Sequence, residues 1–180
     1  MINRKYLIIT HPRGGSGYMS KLFQANGFDV QHESMGKDGT SNWQYAVCSD
    51  EYPFTTDYKR QDVNFKTVIQ VMREPLAAIN TIAYVEGRSE DFRAKYVPLV
   101  GNPFERAILS YYGWHGLIKA QNPDKILALE NAHEKLGFEA VDIYNHTEHE
   151  SVSENTLRMI VRDEYWWYYE RLQFTYKSLL

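Results

Sequence analysis

Cysteine is nearly absent from this chain of 180 residues: Cys48 stands alone, so no internal disulfide can staple the fold, and a reducing cytoplasm is the expected setting. No apolar stretch approaches the roughly 20 residues of a membrane-spanning helix, so no membrane association is expected. Positive charge is not in excess either. Lys and Arg number 20 against 23 Asp and Glu, a net charge of −3, whereas a surface that tracks nucleic acid is normally basic. Nucleic acid is therefore not an expected partner. Two early charges precede an apolar run too short for a signal peptide. No repeat, low-complexity tract or linker divides the sequence, and a hydrophobic content of 43% excludes disorder. One domain over residues 1–180 is the expectation.

What is present begins with residues Thr10 to Tyr18, T-H-P-R-G-G-S-G-Y. They follow Lys5 to Thr10, a short apolar and β-branched run suited to a buried parallel strand. From Gly17 the period becomes helical, with Met19, Leu22 and Phe23 three and four apart and Gly27 placed as a left-handed C-terminal cap. Gly14, Gly15 and Gly17 allow a tight turn whose N–H groups point inward at the positive end of the helix dipole. That is a P-loop-like cradle for phosphate. The Gly-Lys-Ser/Thr ending of an ATP-binding loop, which would place magnesium, is missing. The turn's one strong cation is Arg13, ahead of the glycines, and Ser16 follows Gly15. A second strand-to-helix junction runs from Thr67–Met72 through Arg73-Glu74-Pro75 into a helical segment, Leu76 to Val85, with Thr81 eight residues beyond Arg73.

These two segments resemble the sulfotransferases that use 3′-phosphoadenosine 5′-phosphosulfate (PAPS). That family has Pro-Lys/Arg-x-Gly-Thr/Ser-x-Trp/Tyr after its first strand, matched here by Pro12 to Tyr18. It also has a later strand ending in Arg-x-Pro with a Ser or Thr eight residues after the Arg. More weakly, Phe104 to Ala120, then Lys125 to Glu130, then a segment ending Leu136-Gly137 are similar to the family's helix, strand ending in Glu, and helix. The resemblance covers residues 5 to 137. It implies that the N–H groups of Gly14 to Gly17 and the Ser16 hydroxyl hold the 5′-phosphate, and that Arg73 and Thr81 grip the 3′-phosphate. The guanidinium fork and a hydroxyl two turns into the helix suit that task. Arg13, in place of the more usual lysine, would stabilise charge on the bridging oxygen as the sulfuryl group leaves, but an arginine is a poor proton donor to the leaving group. Tyr18 stands at the family's adenine-stacking position, with packing on the sheet an equal alternative. No metal is required by this chemistry.

Strands alternating with helices imply an α/β fold, a three-layer α/β/α sandwich with a parallel sheet. The strands are expected at about 5–10, 28–32, 67–72 and 125–130, with an irregular stretch before the third. Ligands in such sheets sit beyond the carboxyl ends of strands, where Arg13, Glu33 and Arg73 would gather. Several sulfotransferase subfamilies have a carboxylate base at the end of the second strand, which points to Glu33, with His32 second; strand alternation would send the two to opposite faces. The cytosolic subfamily's histidine before the third strand has no counterpart, since none occurs between Gln44 and Arg73. Lys37, Asp38 and Trp43 lie in a glycine-containing loop that would line the site of a small-molecule or carbohydrate acceptor, with a surface turn anchored by Trp43 as the plainer reading.

Ser151 to Glu154 matches a capping box, and Leu157, Ile160, Val161, Tyr165, Tyr168 and Leu172 then recur at helical spacing. One amphipathic aromatic helix over about 152–178 is expected, one side on the sheet and the other open to a homodimer partner or the acceptor. His146-Thr147-Glu148-His149 has no third ligand at a recognisable spacing, so no metal is expected there, and Glu86, Glu90 and Asp91 with Arg88 and Arg93 read as a solvated helix end. A P-loop kinase is the alternative function, with Glu130 its only obvious magnesium carboxylate after a strand; a catalytically inactive nucleotide-binding protein is the third.

Overall fold

The computed structural model describes residues 1–85, 87–142 and 150–180; Glu86 and the stretch from His146 to His149 lie outside them. Five parallel strands form one sheet in the order β2-β3-β1-β4-β5. They are β1 (Ile2–Ile9), β2 (Val30–His32), β3 (Gly39–Ser41), β4 (Val63–Met72) and β5 (Lys125–Ala128). The described residues also form seven α-helices: α1 (Ser16–Ala25), α2 (Pro75–Tyr84), α3 (Arg88–Arg93), α4 (Pro103–Lys119), α5 (Ala132–Leu136), α6 (Glu154–Ile160) and α7 (Asp163–Lys177). None of them is long and apolar enough to cross a membrane.

Alternation along the two central strands decides the layering. Leu7 and Ile9 turn to one face, where Trp43, Phe92, Trp114 and Ile118 pack. Ile8, Ile69 and Val71 turn to the other, against Met19, Leu22 and Phe23 of α1. Helices thus cover both faces. β1 and β4 stay in register from Ile2↔Val63 to Ile9↔Gln70, so their carboxyl ends finish side by side. Tyr111 of α4 meets the backbone of Arg73, while Phe104, about two turns earlier in α4, meets Tyr84 at the far end of α2. The two helices are therefore antiparallel, and the first turns of α4 project past the carboxyl edge of the sheet.

Three expectations need correction. β3, which separates β2 from β1, is not among the expected strands. The reason it was hidden is its composition: Gly39, Thr40 and Ser41 carry no apolar periodicity, yet all are buried. A Cβ at Gly39 would lie 1.9 Å from the Tyr6 carbonyl oxygen, so glycine alone lets this short strand approach β1. The expected single C-terminal helix is two, because Val161 and Arg162 are extended. Two side chains at the start of α4 hold the break: Asn102 donates to Ile160 C=O, and buried Glu105 accepts from the Arg162 backbone N–H and guanidinium. The cap of α6 is also Ser153, which accepts from Thr156 N–H, rather than Ser151. Along α7, Tyr169, Leu172 and Tyr176 are buried, while Trp167 and Phe174 are exposed.

Candidate active site

The chain leaves β1 into a turn built on close backbone contact. Gly14 N–H donates to His11 C=O at 2.8 Å and Thr10 Oγ1 donates to Gly14 C=O at 3.1 Å. A Cβ at Gly14 would sit 2.1 Å from Thr10 Oγ1, so only glycine fits. Arg13 is left-handed at φ 67°, and Gly15 follows at φ 99° as the residue before α1. Gly17 differs from the sequence expectation. It needs no special backbone, and a Cβ there would meet nothing within 4 Å. The start of α1 has neither a side-chain cap nor an acidic residue in its first turn, so its leading N–H groups keep their capacity for an anion.

Arg73 joins the second motif to the first. Its backbone is clamped by the buried Tyr111 hydroxyl, which accepts from Arg73 N–H at 2.9 Å and donates to Arg73 C=O at 2.8 Å. Burial pushes that phenol far above its ordinary range, keeping it a neutral donor. The Arg73 guanidinium then lies 3.4 Å from Thr81 Oγ1 and 3.2 Å from Arg13 C=O. Thr81 gives its proton to Ala77 C=O, which turns a lone pair towards Arg73. The next residue, Glu74, caps α2 by accepting from Leu76 and Ala77 N–H.

Glu33 breaks the strand alternation that would have separated it from His32. At φ 59° it leaves the strand conformation, and its Oε1 lies 3.7 Å from His32 Nε2. The same histidine nitrogen is 3.0 Å from Ser16 Oγ in the loop. Glu33 also accepts from the Trp43 indole N–H at 2.8 Å. Ser16, His32 and Glu33 are therefore contiguous, and both side chains of the pair reach solvent, at 45% and 30% exposure. Trp43 is 2% exposed, which fits the anchor of a surface turn rather than acceptor lining, and its indole supports Glu33.

Lys37 and Asp38 lie elsewhere. Asp38 precedes β3, pairs with Lys5 Nζ at 2.8 Å and accepts from Asp29 N–H. The Lys5 ammonium, followed by the Asp29 amide, lowers its carboxyl pKa. Lys5 is four residues before the end of β1, which at the rise of a strand is about 13 Å from the glycine turn. These two residues belong to the amino side of the sheet. Tyr18 is half-buried against the core behind α1, and burial raises its phenol pKa. Glu130 is engaged through both oxygens, by Glu74 N–H and the Tyr176 hydroxyl. Among the described residues no three His, Cys, Asp or Glu side chains are gathered as metal ligands.

Sequence reasoning missed Tyr111 and the buried His11, which carry no motif of their own. His11 sits inside the glycine turn, but its neighbours Arg93 and Ser110 come from distant helices. These two, with Ile82, Ala83 and Arg106, line a cavity of about 170 Å³. Comparison with family models, curated proteins and solved structures yields no match.

Proposed function

We propose that this chain transfers a sulfuryl group from PAPS to a hydroxyl or amine on a small-molecule or carbohydrate acceptor. The observation that supports it most is the convergence of Arg73 on both Thr81 and the Arg13 carbonyl, at 3.4 and 3.2 Å. A strand-end arginine and a helix hydroxyl that meet beside a glycine turn suit a nucleotide carrying phosphates at both ends. The cradle fits such a ligand in two further respects: α1 begins with uncapped N–H groups, and Gly17 leaves open space before them.

In this reading the donor supplies an activated sulfuryl group, and the protein's residues do the rest. Glu33, oriented by Trp43, accepts the proton of the acceptor hydroxyl, with His32 as the second candidate. The loop N–H groups and Ser16 hold the 5′-phosphate. Arg13 stabilises the charge that develops on the bridging oxygen. The kinase alternative would need a magnesium carboxylate, and Glu130 has both oxygens committed to structural hydrogen bonds.

Titration calorimetry tests the reading directly. Adenosine 3′,5′-bisphosphate should bind more tightly than AMP, and Arg73→Ala should weaken the bisphosphate by about tenfold or more while changing AMP little, the effect of one charge-assisted hydrogen bond. Equal affinity of the wild type for the two nucleotides would remove the reading. A thermal-shift comparison with ATP and magnesium separates it from a kinase.

A further inference from the structure

The glycine turn is braced by a chain of buried polar groups that the proposed transfer does not use. His11, with no exposed surface, places Nδ1 2.5 Å from Pro12 C=O and Nε2 2.8 Å from Ser110 Oγ. Arg93 of α3, equally buried, donates from Nε to the same hydroxyl at 2.7 Å. The proton positions follow from what each atom can do. A carbonyl only accepts, so Nδ1 carries hydrogen. Burial first, and the Arg93 guanidinium second, lower the His11 pKa well below its ordinary value, so the ring is neutral and Nε2 is a bare acceptor. The Ser110 proton must then point to Nε2, leaving an oxygen lone pair for Arg93. All donors run one way: Arg93 to Ser110, Ser110 to His11, His11 to the carbonyl of Pro12.

That last bond falls one residue before Arg13, at the left-handed turn, and the His11 carbonyl itself receives Gly14 N–H. At its other end the chain opens on the cavity lined by Ile82 and Arg106, where Arg93 and Ser110 form part of the wall. We propose that Arg93, Ser110 and His11 are positioning residues, a one-way hydrogen-bond relay that locks the His11 tautomer and so presets the glycine turn from the floor of the neighbouring cavity. A bare packing role would require only the shape of these side chains. A relay also requires the Ser110 proton.

Ser110→Ala removes that proton, and Ser110→Thr restores it with a methyl that the cavity has room to take. Nitrogen-15 NMR of the whole wild-type protein should show His11 protonated at Nδ1 and bare at Nε2; the opposite tautomer overturns the relay without any variant. Ser110→Ala should speed amide exchange at Gly14 by about tenfold, the loss of one hydrogen bond's worth of local stability, and Ser110→Thr should stay near wild type. Equal exchange in all three proteins also overturns it. The affinity arm rests on the nucleotide reading: Ser110→Ala should weaken adenosine 3′,5′-bisphosphate by about tenfold, and Ser110→Thr should recover it. If the wild type does not bind this nucleotide, the nucleotide reading fails, while the tautomer and the exchange rates still decide the relay.

Discussion

At the scale of single residues, the left-handed backbone of Glu33 determines how the proton is handled in the proposed transfer. An extended residue there would have turned its carboxylate away from His32; φ 59° returns it to within 3.7 Å of the imidazole. Glu33→Gln keeps the shape and the acceptor oxygen for Trp43 but cannot take a proton. It should leave nucleotide binding nearly unchanged and slow sulfuryl transfer by about 100-fold or more, the usual effect of a positioned base. If Glu33→Gln turns over normally and His32→Ala does not, the role passes to His32. Arg13→Ala should slow transfer with no rescue by added magnesium, because what is lost is a positioned donor; rate measurements with labelled PAPS, with and without metal, check this. The identities of these residues were legible from their place after strands. Their meeting was not, because no pattern in Gln31-His32-Glu33 announces a positive φ.

At the scale of elements, the start of α1 makes a prediction with two opposite signs. Gly17 is a helical residue with open space around its missing Cβ. Gly17→Ala should therefore raise stability by up to about 1 kcal/mol, or about 2–4 °C in Tm for a chain of this length. The same methyl would enter the space in front of the uncapped N–H groups, so bisphosphate affinity should fall. A rise in Tm with unchanged affinity would place the phosphate elsewhere. Gly14→Ala should instead destabilise the protein, since its Cβ meets Thr10 Oγ1 at 2.1 Å and His11 backbone oxygen at 2.8 Å. The junction of α6 and α7 predicts a pH dependence. The Arg162 hydrogen bonds, helped by backbone N–H groups of Asn102 and Arg162, hold the Glu105 carboxyl at about 2, below its ordinary 4.5. Because the folded value lies below the unfolded one, this contribution is fully present above about pH 4.5 and is lost as the pH falls towards 2. Glu105→Gln should flatten the acid limb of urea-unfolding stability over that window and cost about 1.5–3 kcal/mol at neutral pH. The periodicity of residues 157–172 showed a helix but not this break, since Glu105 lies 57 residues from Arg162.

At the scale of the molecule, the strands and turns that carry the two motifs could be read from apolar runs next to glycine, arginine and proline. The sheet order could not. β3 has neither the length nor the apolar residues of a recognisable strand, so Lys37 and Asp38, which precede it, were expected beside the ligand. A three-residue strand in fact reverses the chain's approach and leaves them on the amino side, tied to Lys5 and Asp29. The arrangement also bears on the role of metal. The candidate phosphate contacts bring Arg13 and Arg73 to one edge of the sheet, the magnesium-placing loop ending is missing from the sequence, and Glu130 is bound by Glu74 and Tyr176. Turnover should accordingly be unaffected by a chelator; activity abolished by the chelator and restored by magnesium would favour phosphoryl transfer.

The wiring of the Arg73 turn carries a consequence for the order in which the molecule assembles. Around the glycine turn, several contacts join residues only 4, 16 and 25 apart in sequence, while the His11–Ser110 brace spans 99. The Arg73 turn depends on partners much further along the chain: Tyr111, 38 residues away, and Gln173, which donates to Glu74 from 99 residues away. Closing such long loops carries a larger entropic penalty and is slower. A growing or refolding chain should therefore close the local bonds of the glycine turn first, gain its His11–Ser110 brace and the Arg73 clamp only when α4 docks, and reach competence for the proposed doubly phosphorylated nucleotide only when α7 docks.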